Sequence, residues 1–128
     1  MRGGEAVLDE RGLPVGYPWR SDWEVTPRGV RAMREAGEEF LLLDVREPGE
    51  VAAAAVDGVE ALPMGQVASR VDELRAWADR PVVVMCHHGV RSLRVAAFLR
   101  RAGFADVRSM AGGIELWSRD IDASVPRY

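Results

Sequence analysis

The chain has 128 residues, 48% of them apolar, enough for one domain to bury a core without disulfide or metal staples. Its formal net charge of −3 comes from interspersed signs with no basic stripe to track a phosphate backbone, so nucleic acid is not an expected partner. No stretch reaches the roughly 20 uncharged apolar residues that cross a bilayer, and Met1-Arg2-Gly3-Gly4-Glu5 leads into no apolar signal core, which predicts a soluble, cytoplasmic protein with no membrane partner.

Residues 1–23 mix Gly12, Pro14, Gly16 and Pro18 with charges and the aromatic residues Tyr17, Trp19 and Trp23, without helix or strand periodicity. They are expected to form an arm or leader ahead of a single domain that spans 24–128 and ends in a short tail. From Trp23 onward short apolar runs alternate with amphipathic segments, the pattern of an α/β fold with a parallel sheet covered on both faces. Glu24 to Thr26 is a weak strand candidate. Thr26-Pro27 has the form of an N-cap with proline at the first helical position, and Gly37 fits the stop, predicting a helix over 27–36. Phe40 to Val45 and Pro81 to Cys86 are continuous apolar runs of strand length, as central strands require. Ala61 to Met64 and Asp106 to Met110 are weaker strands, suited to sheet edges.

Val71, Leu74 and Trp77 recur at a spacing of three, and Val95, Phe98 and Leu99 at three and four, predicting covering helices over 71–78 and 92–102. Gly103 would stop the second helix. Trp77, Trp117, Phe98 and the methionines read as core packing. Every cationic side chain is arginine, and lysine and asparagine are absent. This reads as genome composition rather than function.

Chemistry concentrates in Cys86-His87-His88-Gly89-Val90-Arg91-Ser92, between the best strand and the best helix. A parallel sheet binds ligands at the carboxyl ends of its strands, and a loop that enters a helix there turns backbone N–H groups and the helix dipole toward one point. Such a cradle stabilises the thiolate of a cysteine at its first position. Cys86 is the only cysteine, so it forms no internal disulfide and is either a small buried hydrophobe or a reactive group. The polar loop around it favours a nucleophile. Gly89 permits a tight cradle, Arg91 supplies a cation able to bind an anion or brace the loop, and Ser92 can cap the helix or donate a hydrogen bond. Three consecutive residues do not converge on one ion, and no Cys or His exists beyond Cys86, His87 and His88, so no metal and no cofactor are expected.

The Cys86–Ser92 loop, taken with Asp44-Val45-Arg46-Glu47-Pro48-Gly49-Glu50 and Gly112-Gly113-Ile114-Glu115-Leu116-Trp117, resembles a rhodanese domain over residues 24–120. The resemblance implies a five-stranded parallel sheet with helices on both faces. It also implies a sulfurtransferase whose Cys86 cycles between thiol and persulfide, with the loop amides of His87, His88, Gly89, Val90 and Ser92 around the outer sulfur and Arg91 assisting. The expected donor is a small anionic sulfane compound such as thiosulfate. With no second cysteine in the chain, the acceptor must be an external thiol, cyanide or a protein. The ending Asp122 to Tyr128 is similar to tails of bacterial single-domain members and of modules fused to sulfur-carrier-activating enzymes, which points to a sulfur-carrier protein as acceptor.

Asp44 and Arg46 are expected beside the loop as a supporting ion pair, and Gly112-Gly113 as a turn that packs the following helix near it. Family members commonly have Gly-His-Ile where this chain has Ala54-Ala55-Val56, so a supporting hydrogen bond is missing or replaced. Phosphatase relatives place five residues between Cys and Arg, and this chain has four, a ring better suited to sulfur. A phosphatase or arsenate reductase, and a non-catalytic interaction module, are the alternatives.

Overall fold

The computed structural model describes residues 5–128; residues 1–4 of the expected arm lie outside the described residues. Five parallel strands form one sheet in the order β1-β5-β4-β2-β3, with β1 at Glu24–Val25, β2 at Leu41–Asp44, β3 at Glu60–Ala61, β4 at Pro81–Met85 and β5 at Asp106–Met110. The helices are α1 (Pro27–Glu35), α2 (Pro48–Ala53), α3 (Met64–Arg70), α4 (Val90–Arg101) and α5 (Gly113–Asp120). A 3₁₀ segment, Val71–Trp77, continues from α3.

Side chains alternate across a strand, so each central strand feeds two cores. Leu41, Leu43, Val82 and Val84 pack with Val67, Leu74, Val95 and Leu99 on the α3–α4 face. Leu42, Val83 and Met85 pack with Val30, Met33, Ile114 and Trp117 on the α1–α5 face. With both faces covered, β2 and β4 carry no polar residue until they end, and the first ones are Asp44 and Cys86. In register, Asp44 lies opposite Met85, so both strands finish at the same level.

Thr26 caps α1 as the sequence predicts, its hydroxyl accepting from the Gly29 N–H at 3.0 Å. Three expectations need correction. β5 is not an edge strand: β1 pairs beyond it, and Val107, Ser109 and Met110 are buried. The strand expected at Ala61 to Met64 is Glu60–Ala61, because Pro63 cannot donate to the ladder and the chain turns into α3 there. The helix expected over 71–78 ends at Trp77 and is a 3₁₀ helix, and the strict spacing of three in Val71, Leu74 and Trp77 is the period of that helix, which lays all three against the core.

The N-terminal arm is ordered over its described residues. Leu8 and Pro14 form an antiparallel bridge, Leu13 is fully buried against Ala111 and Leu116, and Arg28 of α1 grips Asp120 through two nitrogens at 2.8 and 3.0 Å. Among the described residues no helix is long and apolar enough to cross a membrane.

Candidate active site

β4 delivers Cys86 to the carboxyl end of the sheet and α4 begins four residues later, so the loop is only Cys86 to Gly89. Gly89 is the N-cap of α4, with φ of +102°, and a side chain there would press on the Gly112 N–H at 3.3 Å. The turn brings the Gly89 N–H to 3.1 Å and the Ser92 N–H to 3.4 Å from the Cys86 Sγ, and both donate to it. The Ser92 hydroxyl lies 3.4 Å from the sulfur and 2.7 Å from the Ser109 hydroxyl. Ser92 therefore serves the sulfur rather than capping the helix. The thiol is 1% exposed, and its polar surroundings are N–H groups, a hydroxyl pair and the amino end of a 12-residue helix.

The loop carbonyls are kept out of this cradle. Ile114 N–H donates to the Cys86 carbonyl at 2.9 Å and Glu115 N–H to the His87 carbonyl at 3.1 Å, so the first turn of α5 holds them facing away from the sulfur. That approach needs Gly113: a side chain at this position would collide with the Cys86 and His87 carbonyl oxygens. The Gly112-Gly113 turn thus acts directly on the cysteine loop.

Arg91 does not point freely into the cradle. Its two terminal nitrogens bind both carboxylate oxygens of Glu50 at 2.6 and 2.9 Å. Arg91 holds the Glu50 carboxyl far below its ordinary value, down to about 2, and Glu50 in turn raises the Arg91 guanidinium. The pairing joins α4 to the start of α2. Glu50 also accepts from the Glu47 N–H at 3.1 Å, which ties the start of α2 to the same pair.

Asp44 and Arg46 form a fully buried pair, bonded through the Arg46 Nη2 at 2.7 Å and Nε at 3.0 Å. Arg46 also donates to the Ala54 carbonyl at 2.7 Å and the Glu50 carbonyl at 3.2 Å, closing the end of α2. Ala54 therefore enters the network through its backbone, and the Ala55 side chain is exposed. The pair reaches the cysteine loop only indirectly. Tyr128 accepts from Arg46 at 2.8 Å, donates to Glu50 at 2.9 Å, and stacks its ring on His87 with centroids 4.0 Å apart. His87 is stacked on its other side by His88 at 3.9 Å. Burial, with His88 beside it, lowers the His87 pKa, and its Nε2 is buried without a hydrogen-bond partner. His88 and the Val90 side chain are exposed.

Four participants escaped the sequence reading. Glu50 and Tyr128 meet Arg91 and His87 from 41 positions away along the chain, and Ser109 comes from the neighbouring strand. Tyr17 comes from the arm: its hydroxyl donates to the buried Glu24 carboxylate at 2.6 Å and accepts from the Gly112 N–H at 3.2 Å, behind the cysteine loop. Burial and the Glu24 charge raise the Tyr17 phenol. Only the aromatic cluster in the arm hinted at this contact. A cleft of about 800 Å³ opens beside the loop, lined by Tyr17, His88, Gly112, Glu115, Arg119 and Arg127 among others.

Comparison with known proteins places this geometry in a family. The chain is 32% identical over 104 residues to the probable adenylyltransferase/sulfurtransferase MoeZ of Mycobacterium tuberculosis, an alignment covering 81% of this chain and 26% of MoeZ. The chain thus spans about a quarter of the length of that relative. It is 39% identical over 93 residues to the thiosulfate sulfurtransferase GlpE of Pseudomonas fluorescens, covering 73% of this chain and 82% of GlpE. The human single-domain sulfurtransferase TSTD1 superposes with a TM-score of 0.68 at 22% identity, over 79% of this chain and 98% of that one, a likeness of fold. Residues 26–120 match the family described as Rhodanese-like domain, and with the GlpE alignment this establishes that the chain belongs to the rhodanese-like domain family.

Proposed function

We propose that the protein is a sulfurtransferase in which Cys86 carries a sulfane sulfur as a persulfide. The observation that carries this reading is the Cys86 Sγ itself, buried at the amino end of α4 and receiving the Gly89 and Ser92 N–H groups. An outer sulfur bonded to it would remain within reach of a helix terminus that welcomes negative charge. The sulfurtransferase names of the GlpE and MoeZ relatives support the same chemistry.

In the first step the Cys86 thiolate attacks the sulfane sulfur of a donor. With thiosulfate, a sulfur–sulfur bond forms to Cys86, the donor's sulfur–sulfur bond breaks, and sulfite departs with the electron pair. In the second step an external thiol, cyanide or a protein acceptor attacks the outer sulfur and regenerates the Cys86 thiolate, which divides one difficult transfer into two easier ones. The loop amides stabilise charge in both steps, a contribution for which one lost donor costs roughly 3 kcal/mol. Arg91 braces the loop through Glu50, with Asp44 and Arg46 as the rigid support behind it, and no cofactor is required. A sulfur-carrier protein fits as acceptor, since MoeZ joins adenylyl and sulfur transfer in one name.

Incubation with sulfane donors, thiosulfate and cysteine persulfide among them, should add one sulfur atom to the intact mass, and Cys86→Ser should abolish the addition. A wild-type protein that stays unmodified across several donors overturns the reading. Aryl phosphate hydrolysis lost in Cys86→Ser would replace it with a phosphatase.

A further inference from the structure

Gly89 makes the shorter of the two backbone donations to the Cys86 sulfur, at 3.1 Å, so the aim of its N–H matters to any charge that forms there. What holds Gly89 from beneath is the turn before α5. A carbon at its side-chain position would lie 3.3 Å from the Gly112 nitrogen and 3.6 Å from the Tyr17 hydroxyl oxygen. Those two atoms belong to one hydrogen bond, in which the Gly112 N–H donates to the Tyr17 hydroxyl at 3.2 Å. The Gly89 turn is therefore seated on a contact that the arm supplies.

The arm builds that contact with care. Tyr17 packs against the buried cluster of Leu13, Ala111 and Leu116, and its N–H donates to the Pro14 carbonyl at 2.9 Å, which fixes where the ring enters. Its hydroxyl donates at 2.6 Å to Glu24, a residue only 2% exposed, whose other oxygen accepts from the Arg20 N–H at 2.9 Å. Burial and the Glu24 charge keep the phenol protonated, so it donates to the carboxylate and leaves a lone pair for Gly112. A carboxylate is a costly group to bury for packing alone. What it adds here is polarisation: a phenol that donates to a carboxylate carries more negative charge on its oxygen and holds the Gly112 N–H more firmly. Tyr17 and Glu24 both precede residues 26–120, so this support comes from outside the stretch that matches the family.

We infer that Tyr17, polarised by Glu24, is a positioning residue for sulfur transfer: it fixes Gly112, and through Gly112 the Gly89 N–H that faces the reacting sulfur. The inference rests on the sulfurtransferase reading above. Tyr17 touches neither sulfur nor donor and acts through the backbone of two glycines.

The test pairs steady-state sulfur transfer from thiosulfate to one acceptor thiol with the hydrogen-exchange rate of the Gly89 amide read by NMR, in the full chain well below each unfolding transition. Tyr17→Phe, which keeps the ring and removes the hydroxyl, should lower kcat about tenfold with KM changed less than twofold, and should speed Gly89 exchange about tenfold. Glu24→Gln, which keeps the hydroxyl and removes the charge, should move both about threefold. Phe104→Leu trims the buried core at the amino end of β5, away from the carboxyl end where Cys86 lies; it should lower the denaturation midpoint and leave both readouts within twofold. A Tyr17→Phe protein with wild-type kcat and Gly89 exchange, or one whose changes Phe104→Leu reproduces, overturns the inference and leaves the sulfurtransferase reading standing. Should Tyr17→Phe not fold, Glu24→Gln decides in its place, and wild-type values there overturn the inference. A wild type that transfers no sulfur from any donor removes the sulfurtransferase reading and with it the assignment to sulfur transfer, whatever the Gly89 amide shows.

Discussion

Strands β2 and β4 lie side by side and end at the same level, each on a buried polar residue, yet the loops that follow treat that residue in opposite ways. After β2, the Asp44 carboxylate is closed by Arg46, whose remaining donors are taken by the Ala54 and Glu50 carbonyls and Tyr128. After β4, no side-chain cation among the described residues hydrogen-bonds the Cys86 sulfur; it receives two backbone N–H groups and neighbours a hydroxyl pair. A buried charge closed by a side chain is a rigid post. A buried sulfur held by backbone N–H groups and a neutral hydroxyl keeps its lone pairs available, because these dipoles stabilise charge without forming a competing ion pair. The Glu50–Arg91 bridge couples post and cradle, so the rigidity of one is lent to the other.

Several experiments can break or sharpen this contrast. The largest separation should come from Cys86→Ser, which should lose all sulfur uptake by intact mass while its chemical denaturation midpoint stays near wild type. Arg46→Met should do the reverse at the post: it leaves the Asp44 charge buried and alone, and urea denaturation should show a loss of about 3–5 kcal/mol. Gly113→Ala forces a methyl group against the two loop carbonyls; a loss of about 2–3 kcal/mol and slower alkylation of Cys86 would show that α5 holds the cradle open. Tyr17→Phe leaves the Glu24 carboxylate with the Arg20 N–H as its remaining donor, and should cost about 1–2 kcal/mol in the same denaturation assay.

The bridge itself should respond to acid. Arg91 holds the Glu50 carboxyl down at about 2 against an ordinary 4.5, so its stabilisation is complete above the ordinary value and is lost as pH falls toward the lowered one. For a pair this open to solvent the loss should be about 1 kcal/mol between pH 5 and pH 2, as the difference between wild type and Glu50→Gln in urea titrations.

Much of this was legible in the chain. The two apolar runs gave β2 and β4 because a strand buried on both faces reads as a near-continuous apolar run, and Thr26-Pro27 gave the start of α1 because only certain residues satisfy a helix terminus. The helix over Val71–Trp77 is legible as a spacing of three, but its 3₁₀ type is not, since three positions fit either period. The pairing of Arg91 could not be read, because a guanidinium at a loop can bind an anion or a carboxylate with equal chemical reason. Tyr128 and Tyr17 were illegible for a related reason: neither tail nor arm carries a periodic pattern, and their contacts depend on where the core leaves them.

The sequence by itself determined the parallel α/β architecture, the family and the identity of the one thiol in an anion-welcoming loop, since these follow from local periodicity and from motifs whose residues are neighbours in the chain. Only the tertiary structure decided what surrounds that thiol: Ser109, the α5 amides, Tyr17 from the arm, and Glu50 with Tyr128 on the cation at its rim. Such partners are chosen by distance in space. Charge compensation, unlike strand formation, leaves no periodic mark in the chain.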